Sequence, residues 1–178
     1  MRRVAPARRA AAVKVVGPLQ WIVYPALLAI AATVVLATPV ELFGLTLPEP
    51  IIPMVLAFAW PLIRPSAIAP IVLFGLGLFL DLFWGGPLGL WAISLISVYG
   101  AVLVGRNLLV GQETHLLFGW YCVASLMAFL LAYLIVTLDV GNAPSLLALF
   151  WQIVPTLLLF PLADWLVQRF DDGDVRFR

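Results

Sequence analysis

An all-α membrane bundle of six transmembrane helices, both ends cytoplasmic, is the fold class the sequence predicts, and three observations predict it. Hydrophobic residues make up 64% of the chain and charged residues 11%, against roughly 45–50% and about 25% in soluble domains, too little polar surface to face water on every side. Six long apolar runs follow one another without the period-two alternation of a closed barrel. All ten Lys and Arg residues fall on one side once these runs are threaded back and forth. With 178 residues, at about 20 per span, residues 1–178 are read as a single membrane domain with no appended soluble unit.

The first run, residues 19–37, follows a cytoplasmic tail, residues 1–17, that holds Arg2, Arg3, Arg8, Arg9 and Lys14 and no acid. At about 19 residues it exceeds the roughly 7–15 of a signal-peptide core, so it is expected to be retained as a span. Trp21 and Tyr24 suit the interfacial belt at its entry. The loop PVELFGLTLPEP carries Glu41 and Glu49 and no base. The second run, residues 51–63, is the shortest: about 13 residues rise only about 20 Å, short of a hydrocarbon core near 30 Å. Pro48, Pro50, Pro53 and Pro61 punctuate it, which predicts a bent or re-entrant segment.

Arg64, Pro65 and Ser66 form a turn, with Ser66 placed to cap the third run, residues 67–84. That run ends at WGGPLG, a helix stop followed by a helix start. The fourth, residues 88–104, is expected to stop at Gly105 and Arg106, before the polar loop NLLVGQETH. The fifth and sixth, residues 116–138 and 146–167, are long enough to span and are separated by DVGNAPS. The C-terminal tail, residues 168–178, is polar and expected to fray.

Charge tests the count. From a cytoplasmic N-terminus, the tail, Arg64, Arg106 and the C-terminal Arg169, Arg176 and Arg178 all lie inside, and the loops around residues 39–50, 84–87 and 139–145 carry no Lys or Arg. Dropping the short second span would move Arg64 and Arg106 outside, so the positive-inside rule argues for keeping it. The basic tail then serves topology and attraction to anionic lipid, not nucleic acid.

Catalytic chemistry finds little support. His115 is the single histidine, in a cytoplasmic loop without HExxH or CxxC, and Cys122 is the single cysteine, so no metal or disulfide site is predicted. Ser94, Ser97 and Ser125 lack a histidine in a facing span and are read as bonding back to their own helices or lying at helix contacts. No phosphate-binding glycine motif occurs, and no cofactor is expected. Asp81 is the most informative residue, because an acid inside an apolar run costs about 2.5–3.5 kcal/mol at a helix centre unless it is partnered or near water. Two readings stay open: a cap on the free amides that begin the fourth helix, or a charge partner for another protein. As a simple cap, Asp81 would be replaceable by Asn. Gly75, Gly77, Gly85, Gly86 and Gly89 cluster around the same hairpin, where small residues let helices approach closely.

The stretch GLGLFLDLFWGGPLGLWAISLISVYG, residues 75–100, resembles the signature hairpin of the MreD family of bacterial cell-shape proteins. It has a Gly-containing apolar helix, an Asp near its end, a Gly-rich turn with Pro-Leu-Gly, and a second apolar helix. Asp81, Gly85, Gly86, Pro87, Leu88 and Gly89 occupy the motif positions, while Trp84 replaces a commoner small polar residue. PEPIIPMVLAFAW, residues 48–60, is similar to that family's proline-led second span. The resemblance implies a non-enzymatic scaffold of the rod, or elongation, complex in the plasma (inner) membrane, acting in lateral peptidoglycan synthesis. It implies contact with an MreC-type single-span protein, RodA and a class B penicillin-binding protein, and indirectly with MreB. The family is similar in fold to the substrate-binding membrane subunits of energy-coupling-factor vitamin transporters, which supplies the alternative function. No proline-rich counterpart of the second run occurs in the fifth, as an inverted-repeat transporter would require.

Overall fold

Every apolar run is helical, and prolines shape several helix starts and the break before Phe160, while Pro61 and Pro155 lie within continuous helices. The computed structural model describes residues 14–17, 19–37, 41–42, 45–46, 48–140, 146–171 and 175–177. Arg2, Arg3, Arg8, Arg9 and Arg178 of the one-sided charge pattern, and residues 141–145 of the DVGNAPS loop, lie outside the described residues. In chain order, strand β1 (Lys14–Val16) is followed by a π-helical turn (Leu19–Val23), helix α1 (Tyr24–Leu36), and strands β2 (Glu41–Leu42) and β3 (Leu45–Thr46). Helices α2 (Pro53–Ile63), α3 (Ile68–Trp84), α4 (Leu90–Leu109), α5 (Thr114–Val140), α6 (Leu146–Leu157) and α7 (Phe160–Asp171) then precede strand β4 (Val175–Phe177).

Among the described residues, three stretches are long and apolar enough to cross a membrane: Leu90–Leu109, Thr114–Asp139 and Leu149–Phe170. Gln20–Leu36, Pro53–Ile63 and Ile68–Trp84 are shorter apolar helices. The outward faces are apolar too, with Leu28, Ile71, Leu82, Val104 and Leu138 all exposed. A surface of that kind suits lipid and is a liability in water.

The π-helical turn has a sequence cause. Pro25 has no N–H to donate to the Trp21 carbonyl one turn back, so the regular ladder cannot close there. The Trp60 indole N–H reaches across from α2 and donates to that carbonyl at 3.1 Å. A proline defect in one helix thus becomes a tie between two.

Helix α2 is the centre of the molecule. Every residue from Ile51 to Leu62 is buried, and α2 packs against α4 and α7 while touching α1, α3 and α5. A helix apolar on all sides is stable only when enclosed on all sides. At 11 residues it rises about 16 Å, and irregular chain from residue 48 to residue 52 leads into it. Pro48 and Pro50 remove two of the five amide donors that this irregular segment would otherwise have to satisfy, and Pro53 opens α2 where no intrahelical donor is needed. The Ile51 N–H is met by the Thr156 hydroxyl at 3.1 Å. Thr156 itself donates to the Gln152 carbonyl at 2.9 Å, and its own carbonyl accepts the Tyr121 hydroxyl at 3.0 Å. One threonine therefore joins α5, α6 and the entry to α2.

Three sequence expectations need correction. The sixth run, read as continuous over 146–167, is two helices broken at Leu158 and Leu159. Pro161 cannot donate to Leu157 and its ring crowds that carbonyl, so a new helix starts at Phe160 with Pro161 at its second position, where no intrahelical donor is needed. The fourth run does not stop at Gly105 and Arg106: α4 continues to Leu109, and the Val110 N–H closes its last turn on the Arg106 carbonyl at 2.9 Å. The C-terminal tail, where it is described, is not simply frayed, because α7 runs to Asp171 and β4 pairs in parallel with β1, Lys14 against Val175.

The turn between α2 and α3 is built as the sequence suggests. Ser66 Oγ accepts the Ile68 N–H at 3.2 Å at the start of α3. Tyr99 of α4 locks the same turn, its hydroxyl donating to the Ser66 carbonyl at 2.9 Å and accepting the Ser66 N–H at 3.2 Å.

Candidate functional site: the hairpin around Asp81

Helices α3 and α4 form the most intimate pair in the molecule, and one glycine allows it. A Cβ on Gly77 would lie 2.7 Å from the Trp91 carbonyl carbon and closer still to Ala92 N and Cα. All of these are backbone atoms, which have no rotamer to escape into. Gly75, two residues away and so on the opposite side of the helix, has nothing near it. The two glycines that the sequence presents as a pair have different roles: Gly77 is the crossing point, and Gly75 faces outward.

At the end of α3 the chain reverses through residues 85–89. Gly85 takes φ +66°, a left-handed conformation that favours glycine, and ends α3 with its N–H on the Asp81 carbonyl. The Gly86 N–H donates to the same carbonyl at 3.0 Å, and Leu90 N–H reaches the Pro87 carbonyl at 3.2 Å. Gly89, at φ +95°, opens α4 and offers no side chain to cap it.

Asp81 supplies that cap from across the turn. Its side chain is 1% exposed; Oδ2 accepts the Gly89 N–H at 2.8 Å and Oδ1 accepts the Trp91 N–H at 2.9 Å. A carboxylate placed on the first free amides of a helix satisfies orphan donors and meets the positive end of the helix dipole. Main chain and side chain of one residue thus close both halves of the turn: the carbonyl ends α3 and the carboxylate starts α4. With both oxygens engaged and almost no exposed surface, Asp81 is used inside the hairpin.

Sequence reasoning missed the aromatic support around this cap. Trp91 of α4 meets Trp84 edge to face at 6.2 Å and Phe129 of α5 at 5.5 Å between ring centroids. The Trp84 indole N–H donates to Glu49 of the irregular segment before α2. Trp84, which stands where the resembling hairpin has a small polar residue, is therefore the bridge between the hairpin and that segment, and an acid in a proline-rich loop was the available signal. Gly85, Gly86 and Leu88 form the exposed rim.

The remaining polar candidates do not gather into a second site. Ser94 bonds back to the Leu90 carbonyl at 2.8 Å. His115 is exposed and 3.3 Å from Glu113. Asp164 accepts the Gln168 amide at 2.8 Å and the Thr114 hydroxyl at 3.4 Å. Among the described residues, no three metal-ligating side chains of the His, Cys, Asp and Glu types come together. Comparison with family models, with curated proteins and with solved structures returns no match.

Proposed function

We propose that this chain is a multi-pass protein of the bacterial plasma (inner) membrane that acts as a non-enzymatic scaffold of the MreD type, holding an MreC-type protein and, with it, RodA and a class B penicillin-binding protein. The observation that carries the reading is the hairpin. The residues responsible for the resemblance, Asp81, Gly85, Gly86, Pro87 and Gly89, form one closed structural unit, and its buried carboxylate has both oxygens engaged by amides. Such a unit presents a rigid apolar rim, Leu82, Phe83 and Leu88, and suits docking more than catalysis. Ser94 and Ser125 are fully buried, whereas His115 is exposed, which also favours a scaffold without a hydrolytic pair. The vitamin-binding alternative draws less support, since among the described residues the clefts beside α1 and at the start of α5 are about 130 and 90 Å³, against roughly 300–1,000 Å³ for small-molecule sites.

Topology follows from the same proposal. The parallel pairing of β1 with β4 brings the two ends of the described chain to one face, in keeping with an even number of crossings. Counting α2 as a crossing and α6 with α7 as one broken crossing gives six, with Arg64 and Arg106 on the face of the termini. With Cys122 replaced by Ser, cysteines introduced at Gln112 and Val175 are expected to react with impermeant maleimide only after the membrane is opened. Labelling of either position in intact cells would overturn the six-crossing arrangement.

Depletion from a rod-shaped host is expected to round or widen the cells, and tagged protein is expected to recover the MreC-type partner from solubilised membranes. Normal rods on depletion, together with saturable binding of a vitamin to the purified protein, would replace the scaffold reading with the transport one.

A further inference from the structure

A groove of about 130 Å³ runs between α1 and α7 with α2 as its floor. Each element contributes one helical stripe: Pro25, Leu28, Ala29 and Ala32 from α1, Ile52, Val55 and Leu56 at the start of α2, and Leu162, Trp165 and Leu166 from α7. Spacings of three and four residues put each set on one face. The lining is almost wholly apolar, and its rim residues Leu28, Leu162 and Trp165 are exposed. On a lipid-facing surface such a groove is not in itself a site, since any acyl chain could pass over it.

Its polar end makes it one. The α7 stripe continues past Leu162 and Trp165 to Arg169, whose guanidinium carbon lies 4.9 Å from the centre of the Trp165 ring. The cation is thus held over the last aromatic of the groove, on the final turn of α7. Apolar length closed by positive charge at one end matches an amphiphile with an anionic head. A second copy or a partner helix would leave that charge without a counterpart specified by the groove.

We infer that this open groove seats a segment of one acyl chain of an anionic phospholipid, with the phosphate at Arg169, that segment lying along Leu162, Ala32, Val55 and Ile52 and the rest of the lipid in the surrounding bilayer. The site is independent of the scaffold reading and stands or fails separately from partner recovery. Membrane lipid in contact with the bundle would then include a bound molecule, fixed where α1 meets the core.

The test is native mass spectrometry of the purified full chain, mixed with equal amounts of phosphatidylglycerol and phosphatidylcholine of matched chains. Wild-type protein is expected to carry the anionic lipid about fivefold more often, the preference that one basic residue near an anionic group confers. Arg169→Gln should bring the ratio close to one, and Arg169→Lys should keep most of the preference. Ala32→Phe, which fills the groove, should reduce both adducts without lowering the melting temperature. If Ala32→Phe does not fold, the two Arg169 variants decide the matter. Equal binding by the wild type, or a preference that survives Arg169→Gln, overturns the site. A dimer that Ala32→Phe abolishes would assign the groove to a second copy and overturn it as well.

Discussion

Gly77→Ala is expected to lower the stability of the purified protein by about 3 kcal/mol, at the upper end of the usual overpacking range, and Gly77→Val to leave little folded protein in the membrane. The reason is that the added Cβ meets the main chain of Trp91 and Ala92, so relief requires α3 and α4 to move apart. Separation at that point would also draw Asp81 away from the amides it caps, because the cap lies about one turn further along the same helix pair. Gly75→Ala is the matched control: nothing lies near its Cβ, and the change is expected to stay within about 0.5 kcal/mol of wild type. Thermal melts in one detergent compare the variants directly. A Gly77→Ala protein that melts with the wild type would mean that the two backbones are not in contact there.

How much of this was legible in the sequence depends on whether the cause was local. The helix limits at Ser66 and at the Gly85 turn were readable, because a hydroxyl before an apolar run and paired glycines after one act on their own neighbourhood. The position of Asp81 before the turn was readable too, and so was its choice between cap and partner, though not the answer. That answer needed Gly89 and Trp91 to come within hydrogen-bond distance of the same carboxylate. The central place of α2 was hidden for a different reason. Its shortness and prolines looked like weakness, whereas a short helix need not span lipid when other helices enclose it. The break at Leu158 and Leu159 had a local signal in Pro161, masked by the unbroken hydrophobicity of the run. Thr156 gave a faint signal as a hydroxyl in that run, but its partners, Ile51 and Tyr121, are 105 and 35 residues away. The strand pairing of the ends left no pattern to read, since Lys14–Val16 and Val175–Phe177 are too short to show alternation.

Asp81→Asn is expected to melt below the wild type, a result opposite to the one that a simple cap would give. Asparagine is a good cap where one acceptor oxygen suffices. Here both oxygens are in use, Oδ2 by Gly89 and Oδ1 by Trp91. An amide of the same shape has one acceptor, so its NH₂ must point at one of the two backbone N–H groups, and a buried donor is left facing a donor. The loss is expected to be about 1–3 kcal/mol, the cost of one unsatisfied buried group. Asp81→Leu removes both charge-assisted bonds and should cost more, about 3–6 kcal/mol at 1.5–3 for each. The predicted order of melting temperature is therefore Asp, then Asn, then Leu. Recovery of the MreC-type partner, normalised to folded protein, should be the same for Asp and Asn, because the carboxylate is 1% exposed and offers a partner cation almost no surface. An Asn variant that melts like the wild type and yet loses the partner would reverse the assignment: the charge would then face another protein, and the turn would hold without it.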